Sequence, residues 1–218
     1  FHMSSQYDPS ESFTITDVAS PQVEPRCTPN QVDVPNYGDT DSAYWVRLHL
    51  RNENPVTERW LLELTYPNMH YADLYSPSSS SDGFEVRQTG VLRPVTTRDI
   101  NYPTIVFDLM VPDHSQQTYY LRFQNGASMT LPLIMWEPTT FFTNALQGQI
   151  WHGIFLGIMS SLLGYNLFLF FTLRDMSYLF LALLLGGIIF YDISQASLLE
   201  IYIAPSLYFF KEQIIVLS

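Results

Sequence analysis

The chain has 218 residues and a formal net charge of −11, the balance of 21 acidic and 10 basic side chains. Such an acidic chain, without a basic patch, is a poor partner for nucleic acid or for an anionic lipid surface. Its single cysteine, Cys27, excludes an internal disulfide framework and a cysteine-based zinc cluster. Few charged residues follow residue 147, so the composition predicts a polar domain followed by an apolar one.

Residues 1–42 are rich in Pro, Asn and Asp, which predicts a loosely attached arm that carries one weak strand at residues 13–18. The chain opens without the basic segment and apolar run that a signal peptide needs. It closes on another apolar run from Gln213 onward. We therefore expect the natural protein to extend beyond both ends of this sequence.

Residues 44–51 alternate between apolar side chains, which we expect to face a core, and polar or aromatic ones. This is the period of a half-buried strand. Similar runs, bounded by Pro, Gly, Ser and Asp clusters, lie at residues 60–66, 70–75, 84–89, 104–110, 118–124 and 129–136. About seven such strands predict an all-β antiparallel sandwich over residues 43–138, with the whole domain reaching back to about residue 10.

Residues 151–173 contain no Asp, Glu, Lys or Arg. At a rise of ~1.5 Å per residue, a helix of this length crosses a hydrocarbon core of ~30 Å. A second apolar run follows at residues 177–199. In the short turn between the runs, Arg174 suits the end of the first helix and Asp175 can cap the start of the second. The sequence therefore predicts a hairpin of two transmembrane helices.

Residues 139–150 form the connector between the sandwich and the first span, and residues 212–218 begin a third span. Three or more spans indicate a truncated helix bundle. The single arginine of the short turn weakly favours the cytoplasmic side for that turn, so we expect the sandwich to lie outside the cytoplasm.

Two features of the spans are candidates for a role beyond anchoring. Small residues at three- and four-residue spacing predict a face for close helix packing: Gly153, Gly157, Ser161 and Gly164. Asp192 is a carboxylate at membrane depth and a candidate intramembrane switch. The alternative for Asp192 is an interfacial residue whose side chain reaches water.

The outward-facing side chains of the sheet are the candidate ligand site, since aromatic planes stack on sugar rings and guanidinium groups donate to hydroxyls and carboxylates. The candidate ligand-binding residues are Trp45, Arg47, His49, Arg98, Tyr120 and Arg122, with Arg98 joining from a loop. Replacing Trp45 or Arg47 by Ala is expected to weaken binding and to leave the melting temperature nearly unchanged. The alternative is a solvated face of arginine–acid pairs, with the tryptophan covered by a neighbouring loop.

Motifs of catalysis are missing from the sequence: it contains no HExxH, no G-x-S-x-G elbow and no GxGxxG. A carboxylate pair such as Glu63 and Asp73 does not by itself indicate a glycosidase. We therefore expect no enzymatic activity, no metal and no cofactor in this part of the protein.

Several segments, in unbroken order over about residues 43–200, resemble one family of membrane receptors. They are YWVRLHLRN at 44–52, WLLELTYP at 60–67, DLY at 73–75, TGVLRPVTTRDI at 89–100, TYYLRF at 118–123, SMTLPLIMW at 128–136 and GIFLGIMSSLLGYNLFLFFTLRDMSYL at 153–179. Together they resemble the bacterial seven-transmembrane receptors with diverse intracellular signalling modules (7TMR-DISM), with the type 2 extracellular domain and the first two spans.

This resemblance implies a jelly-roll sensory domain similar to carbohydrate-binding modules, seven helices, and a cytoplasmic kinase, cyclase or GGDEF-type output domain. It implies a bacterial inner-membrane receptor whose sandwich, periplasmic or extracellular, binds a small polar ligand such as a carbohydrate or a carboxylate. The expected partners are the lipid bilayer, that ligand, and a second copy in a homodimer through the bundle or the output domain. The alternatives are a membrane-tethered carbohydrate-binding accessory module of an enzyme or transporter, and a transporter with an exterior cap.

Overall fold

The computed structural model describes residues 2–9, 12–20, 28–29, 34–40, 42–78, 83–126 and 128–195. Its internal contacts divide the chain into two compact units. The first unit contains the strands up to Pro138, and the second, from Thr139 onward, contains two long helices.

The elements are named in chain order. The strands are β1 (His2–Asp8), β2 (Thr28–Pro29), β3 (Asn36–Asp39), β4 (Ala43–Arg51), β5 (Arg59–Leu64), β6 (Tyr71–Pro77), β7 (Phe84–Thr89), β8 (Ile105–Met110), β9 (Gln116–Gln124), β10 (Ser128–Thr130) and β11 (Leu133–Trp136). The helices are α1 (Ile15–Val18), α2 (Pro138–Leu173) and α3 (Met176–Gln195), with a short 3-10 helix at Val95–Thr97.

Six strands form one antiparallel sheet, the large sheet, in the order β2-β1-β4-β9-β6-β7. Strands β11, β5 and β8 form the small sheet, and β10 pairs with β3. The core lies on the face of the large sheet that carries Val46, Leu74 and Leu121, together with Leu62 and Phe107 of the small sheet. The predicted all-β sandwich followed by long apolar helices is confirmed.

The alternation of β4 explains this arrangement. Its apolar side chains Tyr44, Val46, Leu48 and Leu50 are all buried in the core, as their spacing predicts. Each buried aliphatic side chain of this size contributes about 1.5–3 kcal/mol to folding relative to an exposed one. This burial fixes which face of the sheet is outward.

Two predictions for the N-terminal residues are wrong. The weak strand at residues 13–18 is the helix α1, because Thr14 and Asp17 form a helix start: the Thr14 amide and hydroxyl both donate to the Asp17 carboxylate, at 2.8 and 2.6 Å. The loosely attached arm contains β1, which pairs with β4 along its whole length, from His2 opposite His49 to Asp8 opposite Ala43. Its polar sequence gave little pattern, and the pairing with β4 makes it a strand.

The run at residues 129–136, predicted as one strand, is two. Strand β10 pairs with β3, and β11 pairs with β5 of the small sheet. Pro132 lies between them and has no amide hydrogen to donate to a ladder, so the chain changes sheets at this residue.

The long helix α2 runs without interruption through residues 139–150, so the predicted connector is helical. Helix α3 follows after two residues, and the amide of Ser177 donates to the Asp175 carboxylate at 2.8 Å, which confirms the predicted cap. Both helices are long and apolar enough to cross a membrane. The predicted end of the second span at residues 196–199 and the start of a third at residues 212–218 lie outside the described residues.

Candidate functional site

The register of the large sheet brings five of the six predicted ligand-binding residues onto one face, here called the outer face. Trp45 lies opposite Arg122, Arg47 opposite Tyr120, and His49 opposite Thr118. Because side chains alternate along a strand, all of these residues point away from the core. The side chains of β4 and β9 that were predicted to point away from the core do so in the structure.

The predicted exposure of two of these residues is wrong. Trp45 is 2% exposed and Tyr120 is 5% exposed. They pack with Val18 in a small apolar cluster, separate from the core, that also includes partly buried neighbours: Phe13, Ile15, Ala19, Tyr75 and Phe84. The outer face is covered here because residues 12–20, the covering segment, place the apolar side chains of α1 on it.

Ring contacts hold together the aromatic members of this small apolar cluster, here called the outer cluster. The rings of Trp45 and Tyr75 lie 5.2 Å apart, and Phe84 meets Tyr120 edge-on at 5.5 Å. Burial raises the pKa of Tyr75, and the neighbouring charge of Asp73 raises it further. The phenol is therefore neutral at physiological pH, and the outer cluster behaves as an apolar surface.

A buried carboxylate sets the position of the covering segment. Asp8, at the end of β1, is fully buried and accepts hydrogen bonds from the amides of Ser12 and Phe13, at 3.3 and 3.0 Å. A charge-assisted bond to a backbone amide is stronger than a neutral one. The turn from β1 into α1 is thereby fixed at its start.

Beside the outer cluster, the part of the outer face formed by the described residues is open. Two adjoining pockets of about 650 and 490 Å³ share Gln116, Gln117 and Thr118, and together we call them the outer groove. The remaining lining residues are His49, Leu50, Arg51, Glu53, Pro77, Ser78, Gly83, Phe84 and Tyr120. His49 Nδ1 and Thr118 Oγ1 lie at hydrogen-bond distance, 2.9 Å, in this groove. Among the predicted residues, His49 and Tyr120 reach it.

The two predicted arginines of the outer face are partly buried, and Arg122 donates to Gln124 Oε1 at 3.0 Å. The neighbouring Asp73, 3% exposed, is paired with Arg93 and accepts a bond from Gln88. This part of the face therefore matches the alternative of arginine–acid pairs. Sequence reasoning missed the Arg93–Asp73 pair, because Arg93 lies in a loop outside any strand pattern.

Arg98 does not join the outer face. Its Nη1 donates to the backbone carbonyls of Tyr102 and Pro103, so the guanidinium closes its own loop. The adjacent Asp99 accepts from Arg87 and from the Asp108 amide, which ties the same loop to strands of both sheets. A loop held in this way stabilises the edge of the sandwich.

In the helical unit, Asp192 of α3 faces His152 of α2. His152 Nε2 and Asp192 Oδ2 lie 3.3 Å apart, and the two side chains are 32% and 30% exposed. They form an ion pair when the histidine is protonated. The sequence alone did not pair Asp192 with His152, because only the packing of one helix against the other brings them together.

Two family models match the chain. The model described as 7TMR-DISM extracellular 2 matches residues 2–137, and the model described as 7TM diverse intracellular signalling matches residues 148–218. The first alone covers more than half of the chain. The chain belongs to the 7TMR-DISM family. No curated protein matches it.

This membership makes the chain part of a membrane sensory receptor with an extracellular domain, and it confirms the resemblance found in the sequence. The extracellular match ends at residue 137, directly before α2 begins at Pro138. The sandwich is therefore the extracellular domain of the 7TMR-DISM receptor, and α2 and α3 belong to its membrane part.

The small-residue face of α2 is open within the described part of the receptor. A Cβ atom added at Gly153, Gly157 or Gly164 would meet no atom within 4 Å outside the local helix, and Ser161 Oγ donates to the Gly157 carbonyl. Helix α3 therefore does not fill this face. Its role in helix packing stays a prediction.

Proposed function

We propose that this chain is the sensory part of a bacterial inner-membrane 7TMR-DISM receptor. In the proposal, the sandwich lies in the periplasm or outside the cell and binds a small polar ligand, a carbohydrate or a carboxylate, at the outer groove. The bound state is passed through the helix bundle to a cytoplasmic output domain, with a homodimer formed through the bundle or that domain. The observation that carries the proposal is an open, polar groove on the outer face of a domain from a sensory family.

The lining of the outer groove suits such a ligand. His49, Thr118 and Gln116 offer side-chain donors and acceptors, while Phe84 and Tyr120 offer aromatic surface. Ligand sites commonly combine apolar surface with a few placed polar groups in this way. Arg51, which lines the groove, is paired with Glu53 at 3.1 Å, and its guanidinium could exchange that carboxylate for one of a ligand.

The chain path suggests how binding could reach the membrane. Strand β11 ends at Trp136, whose indole Nε1 donates to Glu63 Oε2 at 2.7 Å, and α2 begins two residues later. Glu63 is buried and also accepts from Thr104. The last strand before the helix is thus joined to β5 by a side-chain hydrogen bond as well as by strand pairing. A ligand can shift the equilibrium between two states of the receptor, and with it the position of the helices, only as far as its affinities for the two states differ.

The second family match favours the receptor over the alternatives. Residues 148–218 match a signalling helix region, so an accessory carbohydrate-binding module or the cap of a transporter has less support.

The test uses the whole chain in lipid nanodiscs. Isothermal calorimetry with cellobiose, galacturonate and citrate covers neutral sugars, sugar acids and simple carboxylates. We expect one of the three to bind, and His49→Asn to weaken its binding about tenfold, a loss of about 1.4 kcal/mol. His114→Asn is the matched control, because His114 is exposed and is not part of the outer groove.

Two results would contradict the proposal. One is that none of the three compounds binds at millimolar concentration. The other is that His49→Asn and His114→Asn affect binding equally, which would place the ligand outside the outer groove.

A further inference from the structure

The outer groove continues into the outer cluster. Phe84 and Tyr120 line the groove and also belong to the cluster around Trp45. Trp45 itself lies in the same apolar cluster as Val18 of the covering segment. A ligand that extended from the groove along the aromatic surface would therefore meet residues of the chain's own N-terminal part.

The indole of Trp45 carries an unsatisfied donor. Its Nε1 is fully buried and has no hydrogen-bond acceptor among the described residues. Buried indole N–H groups usually have a partner, and leaving one without a partner is costly. An oxygen atom of a ligand would supply the missing acceptor, which the apolar side chains of the covering segment cannot do.

The helix of the covering segment is short and has one buried side chain. Helix α1 has four residues, and Val18 is its one buried side chain. Thr14 and Asp17 are bonded to each other, and Asp8 accepts hydrogen bonds at the start of the segment, from the amides of Ser12 and Phe13. Displacement of α1 from the outer cluster would break none of the strand pairings of the large sheet, since no residue of α1 belongs to a strand.

We propose that the covering segment is an internal competitor for the ligand. In the receptor without ligand, residues 13–19 occupy one half of the binding site, the half formed by the outer cluster. A ligand with a flat apolar face and an oxygen acceptor displaces them, stacks on the outer cluster and accepts a hydrogen bond from Trp45. This proposal rests on the proposed function, since it divides the same site into an open half and a covered half.

When the covering segment occupies the site in most molecules, the apparent affinity for the ligand falls in proportion to the fraction of molecules in which the site is open. Val18→Asp places a charge in the outer cluster and should release the segment. We expect it to strengthen binding of cellobiose or galacturonate, the two compounds with a sugar-ring face, by about tenfold. Thr16→Asp is the matched control, because it adds the same charge to the exposed side of the same helix and should leave the affinity unchanged.

Hydrogen exchange in wild-type receptor gives a second readout. The amides of Val18 and Ala19 donate to the carbonyls of Thr14 and Ile15, so they report whether α1 is formed. A displaced segment loses these bonds, and ligand should therefore accelerate exchange at these two amides. A segment with a purely structural role would instead show unchanged or slower exchange on binding.

The outcomes separate the two proposals. Suppose that a compound binds the wild type, but hydrogen exchange at the amides of α1 does not accelerate and Val18→Asp does not strengthen binding. The proposal of an internal competitor is then wrong, and the proposed function stands. If no compound binds either wild type or Val18→Asp, the proposed function is wrong, and the competitor with it. Should Val18→Asp fail to fold, Val18→Ala replaces it, with an expected gain in affinity of about threefold.

Discussion

The two faces of the large sheet are covered in different ways. The inner face packs against a second sheet, and its side chains join one continuous core. The outer face carries a small cluster under a four-residue helix and, next to it, an open groove. A surface that is covered by a light element can be uncovered at modest cost, so the outer face can respond to a ligand while the inner face keeps the fold.

The largest expected effect compares one aromatic residue from each face. Phe123→Ala on the inner face should lower the free energy of unfolding by about 3–5 kcal/mol, because it leaves a cavity between two sheets. Trp45→Ala should cost only about half as much. The covering segment can settle into the space, and the substitution also removes an unpaired buried N–H. Urea unfolding of the extracellular domain, with the chain in nanodiscs, measures both.

If Trp45→Ala costs as much as Phe123→Ala, the outer cluster is as rigid as the core and the contrast between the faces fails. Either result differs from the expectation drawn from the sequence alone, in which Trp45→Ala leaves the stability nearly unchanged.

The largest alkaline pH dependence should come from the inner face. Burial raises the pKa of Tyr119 to about 12, from the ordinary value of 10.0, and its hydroxyl donates to the Met110 carbonyl. The folded protein therefore holds this proton more tightly than the unfolded chain. The resulting stabilisation is complete below pH ~10 and is lost as the pH rises through ~12, by up to about 3 kcal/mol.

Alkaline urea titrations check this prediction. Tyr119→Phe should reduce the loss of stability between pH ~10 and ~12, whereas Tyr66→Phe, at a partly buried tyrosine beside the core, should leave it in place. An unchanged alkaline slope in Tyr119→Phe would contradict the assignment.

The smallest expected effect lies in the membrane unit. His152→Gln and Asp192→Asn, combined in a double-mutant cycle, should show a coupling of about 1 kcal/mol in the thermal unfolding of the helices in nanodiscs. A coupling indistinguishable from zero would mean that the 3.3 Å contact does not hold α2 to α3.

Much of the fold could be predicted because its signals are local. The strict alternation of residues 44–51 identified the core face of β4, and the length and apolarity of α2 identified a span. Strand β1 was not predicted because its side chains are mostly polar, and its partner β4 lies more than thirty residues away in the chain. The capping pair Thr14 and Asp17 was a visible signal of α1, but alternation in the same residues competed with it.

The candidate site was predicted less well, for a different reason. Alternation assigned Trp45 and Tyr120 to the correct face, yet it carries no information about what lies over that face. The same limit applies to Arg98, which a loop sequence could place on either side of the sandwich. His49 was found because its strand, and no distant segment, decides its position.

The sequence by itself determined which side chains face the core, where the membrane helices run and which receptor family the chain resembles, since periodicity and hydropathy act over neighbouring residues. Only the tertiary structure decided that Val18 covers Trp45, that Asp73 pairs with Arg93 and that His152 meets Asp192. These contacts join residues far apart in the chain, and their geometry depends on how whole elements pack.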